Sequence, residues 1–310
     1  MKKVLALALL LLFCTSCTAQ PGGEAVTTTT AEEMTTAPDA TVETTAETTA
    51  ETTVPTTAET TAAPTAPPLT APYFLSDAAK KGFRFSTYLV QERIVGKGGR
   101  FAELSLTMPE IAGDYPGIPK INRFFVSREV RFREEVRTEL LPSAEAHIGE
   151  NPVPPYFRSA DFYLQVVLGN IISVSAGLNG WAGGVSWAGI EGYTFDLNSG
   201  KRLALSDLFS ASKAAYTDLL LRLVSEQIMQ EIQDDENGSP YFFGEAFSDE
   251  GAKQIREAFN PDHFFLAEEG LVIFYDKYDI APGVRGAPDF LIPYAEIAKQ
   301  LKPGIRKLLG

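Results

Sequence analysis

Few side chains in this sequence are suited to catalysis, and most of those are acids. The two histidines, His147 and His263, stand apart and form no metal-binding spacing of the HExxH kind. Both cysteines fall within the first 17 residues, so the rest of the chain has no thiol for a nucleophile, a disulfide or a metal. A nucleophile elbow, a phosphate loop and a dinucleotide fingerprint are all lacking, and no cofactor or metal is expected. Paired carboxylates leave one catalytic route open: Asp276 with Asp279, or Glu268 with Glu269, each set against a further acid at glycosidase distance. Among 40 acidic residues such pairs arise by chance, and the chain reads as non-catalytic. Binding has better material. Trp181 and Trp187 bracket a glycine-rich stretch, and Asp276, Tyr278 and Asp279 follow the end of a predicted strand. Exposed aromatic faces stack on sugars and anchor protein partners. The competing reading is that the same rings complete a core.

The first 17 residues set the compartment. Lys2 and Lys3 precede an apolar run from Val4 to Cys14, which is too short to cross a bilayer, and then Thr15-Ser16-Cys17. Cys17 behind small residues matches the cleavage and lipidation point of a bacterial lipoprotein, apart from Cys14 where leucine is usual. The expectation is an extracytoplasmic protein held on the outer face of the cell membrane through lipid on Cys17, two acyl chains being enough for stable anchoring. The alternative is a soluble protein released by a general signal peptidase near Cys17-Thr18-Ala19. Residues 18–71 follow as a Thr/Ala/Glu/Pro spacer with an AETT unit repeated between Ala46 and Thr61. It is too poor in apolar side chains to offset folding entropy and is predicted to be a disordered, extended stalk. Of 27 basic and 40 acidic residues, the leader takes two lysines and the spacer eight acids, leaving 25 and 32, or −7, for residues 72–310. An acidic domain without a basic cluster argues against nucleic acid as a partner.

The remaining residues read as alternating strands and helices. Ala102, Leu104, Leu106 and Met108 alternate with polar residues as in a half-buried strand, with Phe83 to Val95 as its hairpin partner. Ile118, Ile121, Phe125, Phe132 and Val136 have helical spacing, and Arg123, Arg128, Arg131, Glu134, Arg137 and Glu139 are assigned to a solvated face. A hairpin turns at Gly169-Asn170, with Phe162, Leu164, Val166 and Leu168 expected on one face. The glycine-rich stretch Gly177 to Trp187 is expected to be flexible. Helices are predicted over about 212–233, from Ser248 to near Phe259, and from Tyr294, with a hairpin between His263 and Tyr275. The fold class is α+β, with mainly antiparallel sheets and packed amphipathic helices. Two subdomains are expected, 72–188 and 189–310.

Tyr193-Thr-Phe-Asp-Leu-Asn-Ser-Gly-Lys-Arg-Leu-Ala-Leu-Ser-Asp-Leu-Phe209 resembles the opening of the domain of unknown function 3298. The run from Gly270 to Pro282, with Gly286 and Ile292-Pro-Tyr294, is similar to its closing signature. Met108-Pro109, Ile121-Asn122 and Ile171-Ile-Ser-Val174 resemble the companion domain of unknown function 4163. The resemblance implies the extracellular module of RsiV-type anti-sigma factors, which sense lysozyme, and of PdaC-type peptidoglycan deacetylases. Its implied partners are therefore a lysozyme-like protein or peptidoglycan. The sequence departs from that pattern in showing neither a spanning helix nor a deacetylase domain, and in reading Gly183-Gly184-Val185-Ser186 where relatives often have Gly-Gly-Ala-His.

Overall fold

A computed structural model describes residues 82–148, 155–234, 240–243 and 247–309. Cys17, the expected lipidation point, and residues 18–71, the expected spacer, lie outside them. Strands β1 (Arg84–Val95) and β2 (Phe101–Ala112) pair antiparallel along their whole length. The expected alternation holds in β2, where Ala102, Leu104, Leu106 and Met108 are buried. Helix α1 (Ile118–Glu135) crosses one face of the sheet and continues through a π turn at Val136–Leu140 into α2 (Leu141–Ala146). Pro142 explains the widened turn, because its ring would clash with the Thr138 carbonyl in a regular helix. The chain returns as β3 (Tyr156–Leu168), followed by β4 (Ile171–Ala182) and β5 (Val185–Asp196), in the sheet order β1-β2-β3-β4-β5. β3 lies parallel to β2 while its other neighbour is antiparallel, so this sheet is mixed, as the intervening helical crossover requires.

The β3–β4 hairpin departs from simple alternation. A bulge between Leu164 and Val166 inserts Gln165 and reverses the phase of the strand. Phe162, Leu164 and Val167 therefore join the core under α1, while Val166 and Leu168 join the core on the opposite face. The expected single face of Phe162, Leu164, Val166 and Leu168 is thus split in two.

The α1 core is aromatic. Phe125 meets Phe162, Tyr193 and Phe195 edge-on at 5.7–5.8 Å between ring centres. On the other face lie α3 (Leu205–Leu208), α4 (Lys213–Asp234), α5 (Asp249–Ala258) and a small antiparallel sheet of β6 (Phe264–Leu266), β7 (Gly270–Phe274) and β8 (Asp289–Pro293). The predicted last helix is two short ones, α6 (Tyr294–Ile297) and α7 (Pro303–Leu308), separated at Lys302-Pro303. A buried polar tie joins the two sheets. Ser173 Oγ accepts the Leu266 backbone N–H at 2.8 Å and lies 3.0 Å from Thr194 Oγ1. β5 is continuous from Val185 to Asp196. Among the described residues no helix is long and apolar enough to cross a membrane.

Candidate functional site

The glycine-rich stretch is a hairpin rather than a flexible loop. β4 and β5 stay paired to Ala182 and Val185, and the turn is Gly183-Gly184 alone. Both glycines have positive φ, 60° and 120°, which a two-residue hairpin turn of this hand demands. Pairing then decides where the tryptophans go. Trp181 stands opposite Ser186, and Trp187 opposite Gly180, so the two indoles project from opposite faces of the sheet. Trp181 is half-buried. Trp187 is partly exposed, and the Arg158 guanidinium lies over its ring at 4.6 Å.

Beyond β7, residues 276–288 form a loop that holds the other three candidates. The Asp276 backbone N–H donates to Asp279 Oδ2 at 3.1 Å and the Asp279 N–H donates back to the Asp276 carbonyl at 3.1 Å, closing a tight turn. Tyr278, at its crest, has φ 76° and is the one non-glycine among the described residues with positive φ. A tyrosine in that conformation carries a cost of roughly 1–2 kcal/mol. The residue is 58 % exposed, and its ring lies against Gly283, where a Cβ would come within 2.5 Å of it. Val284 on the same loop is 95 % exposed. Burial raises the Asp279 carboxyl above the usual carboxylate range, and the neighbouring Asp276 charge adds to the rise.

A single lysine links the two segments. Lys277 Nζ donates to the Ser186 carbonyl at 2.9 Å and reaches Ser186 Oγ at 3.3 Å, while standing 4.9 Å from the Tyr278 ring centre. The structure thus connects Asp276, Tyr278 and Asp279 to Ser186 at the hairpin end, whose side chain shares the face of Trp181, and leaves Trp187 on the α1 face. Glu268 and Glu269 sit exposed in the β6–β7 turn, away from the loop. The Asp279 carboxylate already accepts a backbone N–H, and Asp276 stands 4.0 Å from His263 Nε2. His147 Nδ1 lies 2.8 Å from the Tyr156 hydroxyl. Among the described residues no group of three or more histidine, cysteine, aspartate or glutamate side chains is arranged to hold a metal ion.

The helix face read as solvated contains a residue that is not. Arg128 is only 11 % exposed and pairs with Glu191 at 2.5 Å, with its Nε donating to the Tyr193 hydroxyl at 3.1 Å and its guanidinium over the Phe132 ring at 4.3 Å. The Tyr193 hydroxyl donates in turn to Glu191. Spacing carries this signal, since position 128 is three residues from Phe125 and four from Phe132, within the apolar stripe. Glu191 likewise shares the strand parity of the buried Tyr193 and Phe195.

Residues 206–295 match the family model described as "Protein of unknown function (DUF3298)"; the Tyr278 loop lies within the matched stretch and the hairpin precedes it. Over 109 residues the chain is 28% identical to "Anti-sigma-V factor RsiV" of Bacillus subtilis strain 168, a match that takes in 35% of this chain. It spans only 36% of that relative's length. Crystal structures of DUF3298 family proteins from Bacteroides fragilis and Pseudomonas aeruginosa each align with a TM-score of 0.48. Their identities are 17% and 15%, covering 74% and 72% of this chain and 98% and 96% of theirs.

Proposed function

We propose that this chain is a non-catalytic, lipid-anchored module outside the cytoplasm that binds a cell-wall component or an extracellular protein through the Tyr278 loop and the adjoining hairpin end. One observation carries the reading: a strained, exposed tyrosine whose neighbour Lys277 is tethered to Ser186 at the hairpin end, on the face that carries Trp181. Backbone strain at an exposed aromatic adds nothing to the core, and such conformations cluster at binding sites. Asp276 and Asp279 flank the ring and would meet cationic or hydroxyl-rich groups. Lipid on Cys17 would hold the module at the membrane, and residues 18–71 would give it reach.

A lysozyme-binding decoy or inhibitor is the second reading. It is favoured by the net −7 of residues 72–310, which suits a basic enzyme, and by the partial similarity to an anti-sigma-V factor. A carboxylate-dependent glycan hydrolase is the third, and it requires Asp276 or Asp279 to act on a bound sugar. Calorimetry separates them. Purified protein is titrated with a c-type lysozyme and, in parallel, with soluble peptidoglycan fragments. Saturable heat with lysozyme at micromolar or better affinity, weakened by salt, supports the decoy; heat with glycan alone supports wall binding. Release of reducing sugar, abolished by Asp276→Asn, would overturn the non-catalytic reading, and silence in every arm would overturn binding to either class.

A further inference from the structure

On the α1 side of β5 lies a cleft of about 300 Å³. Its floor is Ile190, Glu191 and Gly192 of β5; α1 supplies Arg128 and Arg131 on one wall, and Asp262 and His263 stand on the other. Among the described residues β5 is the last strand of its sheet, so one row of its peptide groups faces no partner strand there. The parity of that row is fixed. Thr194 O accepts from Leu203 N at 2.8 Å and Asp196 N donates to Lys201 O at 2.9 Å, so the even-numbered residues of β5 turn their backbone groups away from β4. Gly192 O continues the row and is taken by Arg202 Nη2 at 3.0 Å. Ile190 comes next, at the cleft floor.

Two guanidiniums at this edge retain unused donors. Arg202 stands 4.9 Å from the Tyr193 ring centre and forms no ion pair among the described residues. Arg131 is 72 % exposed and meets one carboxylate, that of Glu135, through Nε at 3.3 Å. Planar guanidinium forks match carboxylates in two-point geometry. An open strand edge beside them accepts an extended main chain by strand addition.

We infer that the outer edge of β5 is a binding site for a short extended peptide bearing a carboxylate, its main chain paired with Ile190 and its carboxylate held by Arg202 and Arg131. The site adjoins the Tyr278 loop at His263, 4.0 Å from Asp276, but no residue of that loop lines it, and it does not rest on the function proposed for that surface. The test is titration of the full chain with the peptide acetyl-Thr-Val-Thr-Ala as the free acid, followed by chemical shifts or calorimetry. Three further probes are its C-terminal amide, an amide with an internal glutamate, and a backbone N-methylated acid. The free acid is expected to bind saturably below about 1 mM, with the amide and the N-methylated acid at least about fivefold weaker. Recovery of affinity by the glutamate amide assigns the carboxylate to a side chain, and its failure to recover assigns it to a chain end; either agrees with the inference. Arg202→Gln, which removes the guanidinium charge, should give the same fivefold loss as the amide, while Tyr278→Ala should give none. No saturation by about 10 mM, equal binding of acid and amide, or no effect of Arg202→Gln would overturn it.

Discussion

Arg128→Met tests whether the buried guanidinium network ties α1 to β5. The variant keeps most of the aliphatic stem over Phe132 but removes the charge facing Glu191 and the donor to Tyr193. Removing one partner of a fully buried pair costs about 3–5 kcal/mol. Glu191 keeps 27% of its side chain in contact with solvent and retains the Tyr193 hydroxyl as a donor, which reduces the expected loss to about 2–3 kcal/mol. With a urea slope near 3 kcal/mol/M for a domain of this size, the midpoint should fall by about 0.7–1 M. Tryptophan fluorescence is a suitable probe, because Trp187 sits over Arg158, which itself pairs with Glu135 at 2.5 Å. The double variant Arg128→Met/Glu191→Met should recover at least half of the loss, since replacing both partners by apolar groups avoids leaving a charge uncompensated. A midpoint shift below about 0.2 M for Arg128→Met, or an additive double variant, would refute the reasoning.

Tyr278→Gly should leave thermal stability unchanged or raise it by relieving the positive φ, while removing most of the heat of binding to whichever of lysozyme or glycan proves to be the ligand; lower stability with intact binding would contradict the strain argument. Asp279→Asn concerns a carboxyl whose folded pKa is raised, so the acid's contribution is fully present below the unfolded value near 3.9 and lost as pH rises through the folded one. The variant should therefore melt higher than the parent at pH 7 and lose that advantage below about pH 4, as calorimetric scans across pH would reveal. Ser173→Ala leaves the Leu266 N–H without its buried acceptor and should cost about 1–3 kcal/mol in urea titration, whereas a loss under about 0.3 kcal/mol would mean that water replaces the hydroxyl. Gly192→Ala drives a methyl into the Phe264 backbone carbonyl and should cost more than about 3 kcal/mol; near-parental stability would show the sheets free to part.

What could be read in advance followed periodicity. The alternation from Ala102 to Met108, the apolar stripe of α1 and the long pattern of α4 each have one phase, and each appears in the structure as expected. The Gln165 bulge was hidden because Val166, Val167 and Leu168 are apolar in either phase, so the sequence is compatible with both registers. The parallel contact of β2 with β3 depends on the helical crossover and leaves no local trace. At the candidate surface the glycines were misleading: they suggested mobility, whereas only Gly183-Gly184 forms a turn and the others sit in paired strands. Arg128 was missed because charge outweighed position, although its spacing from Phe125 and Phe132 placed it on the buried stripe.

The parallel pairing of β2 with β3 also dictates an order of events as the chain is made. β1 and β2 can close as a hairpin as soon as both exist, but Leu104 then waits for Arg158, 54 residues later. At ordinary rates of synthesis that interval is about 3–11 s, far longer than a hairpin needs to form. Throughout it, the inner edge of β2 stands unpaired, and the apolar row from Ala102 to Met108 can be covered only by the helical segment from α1 through α2. The nascent hairpin is therefore the segment most in need of a holding chaperone, and the crossover length sets how long it must be held.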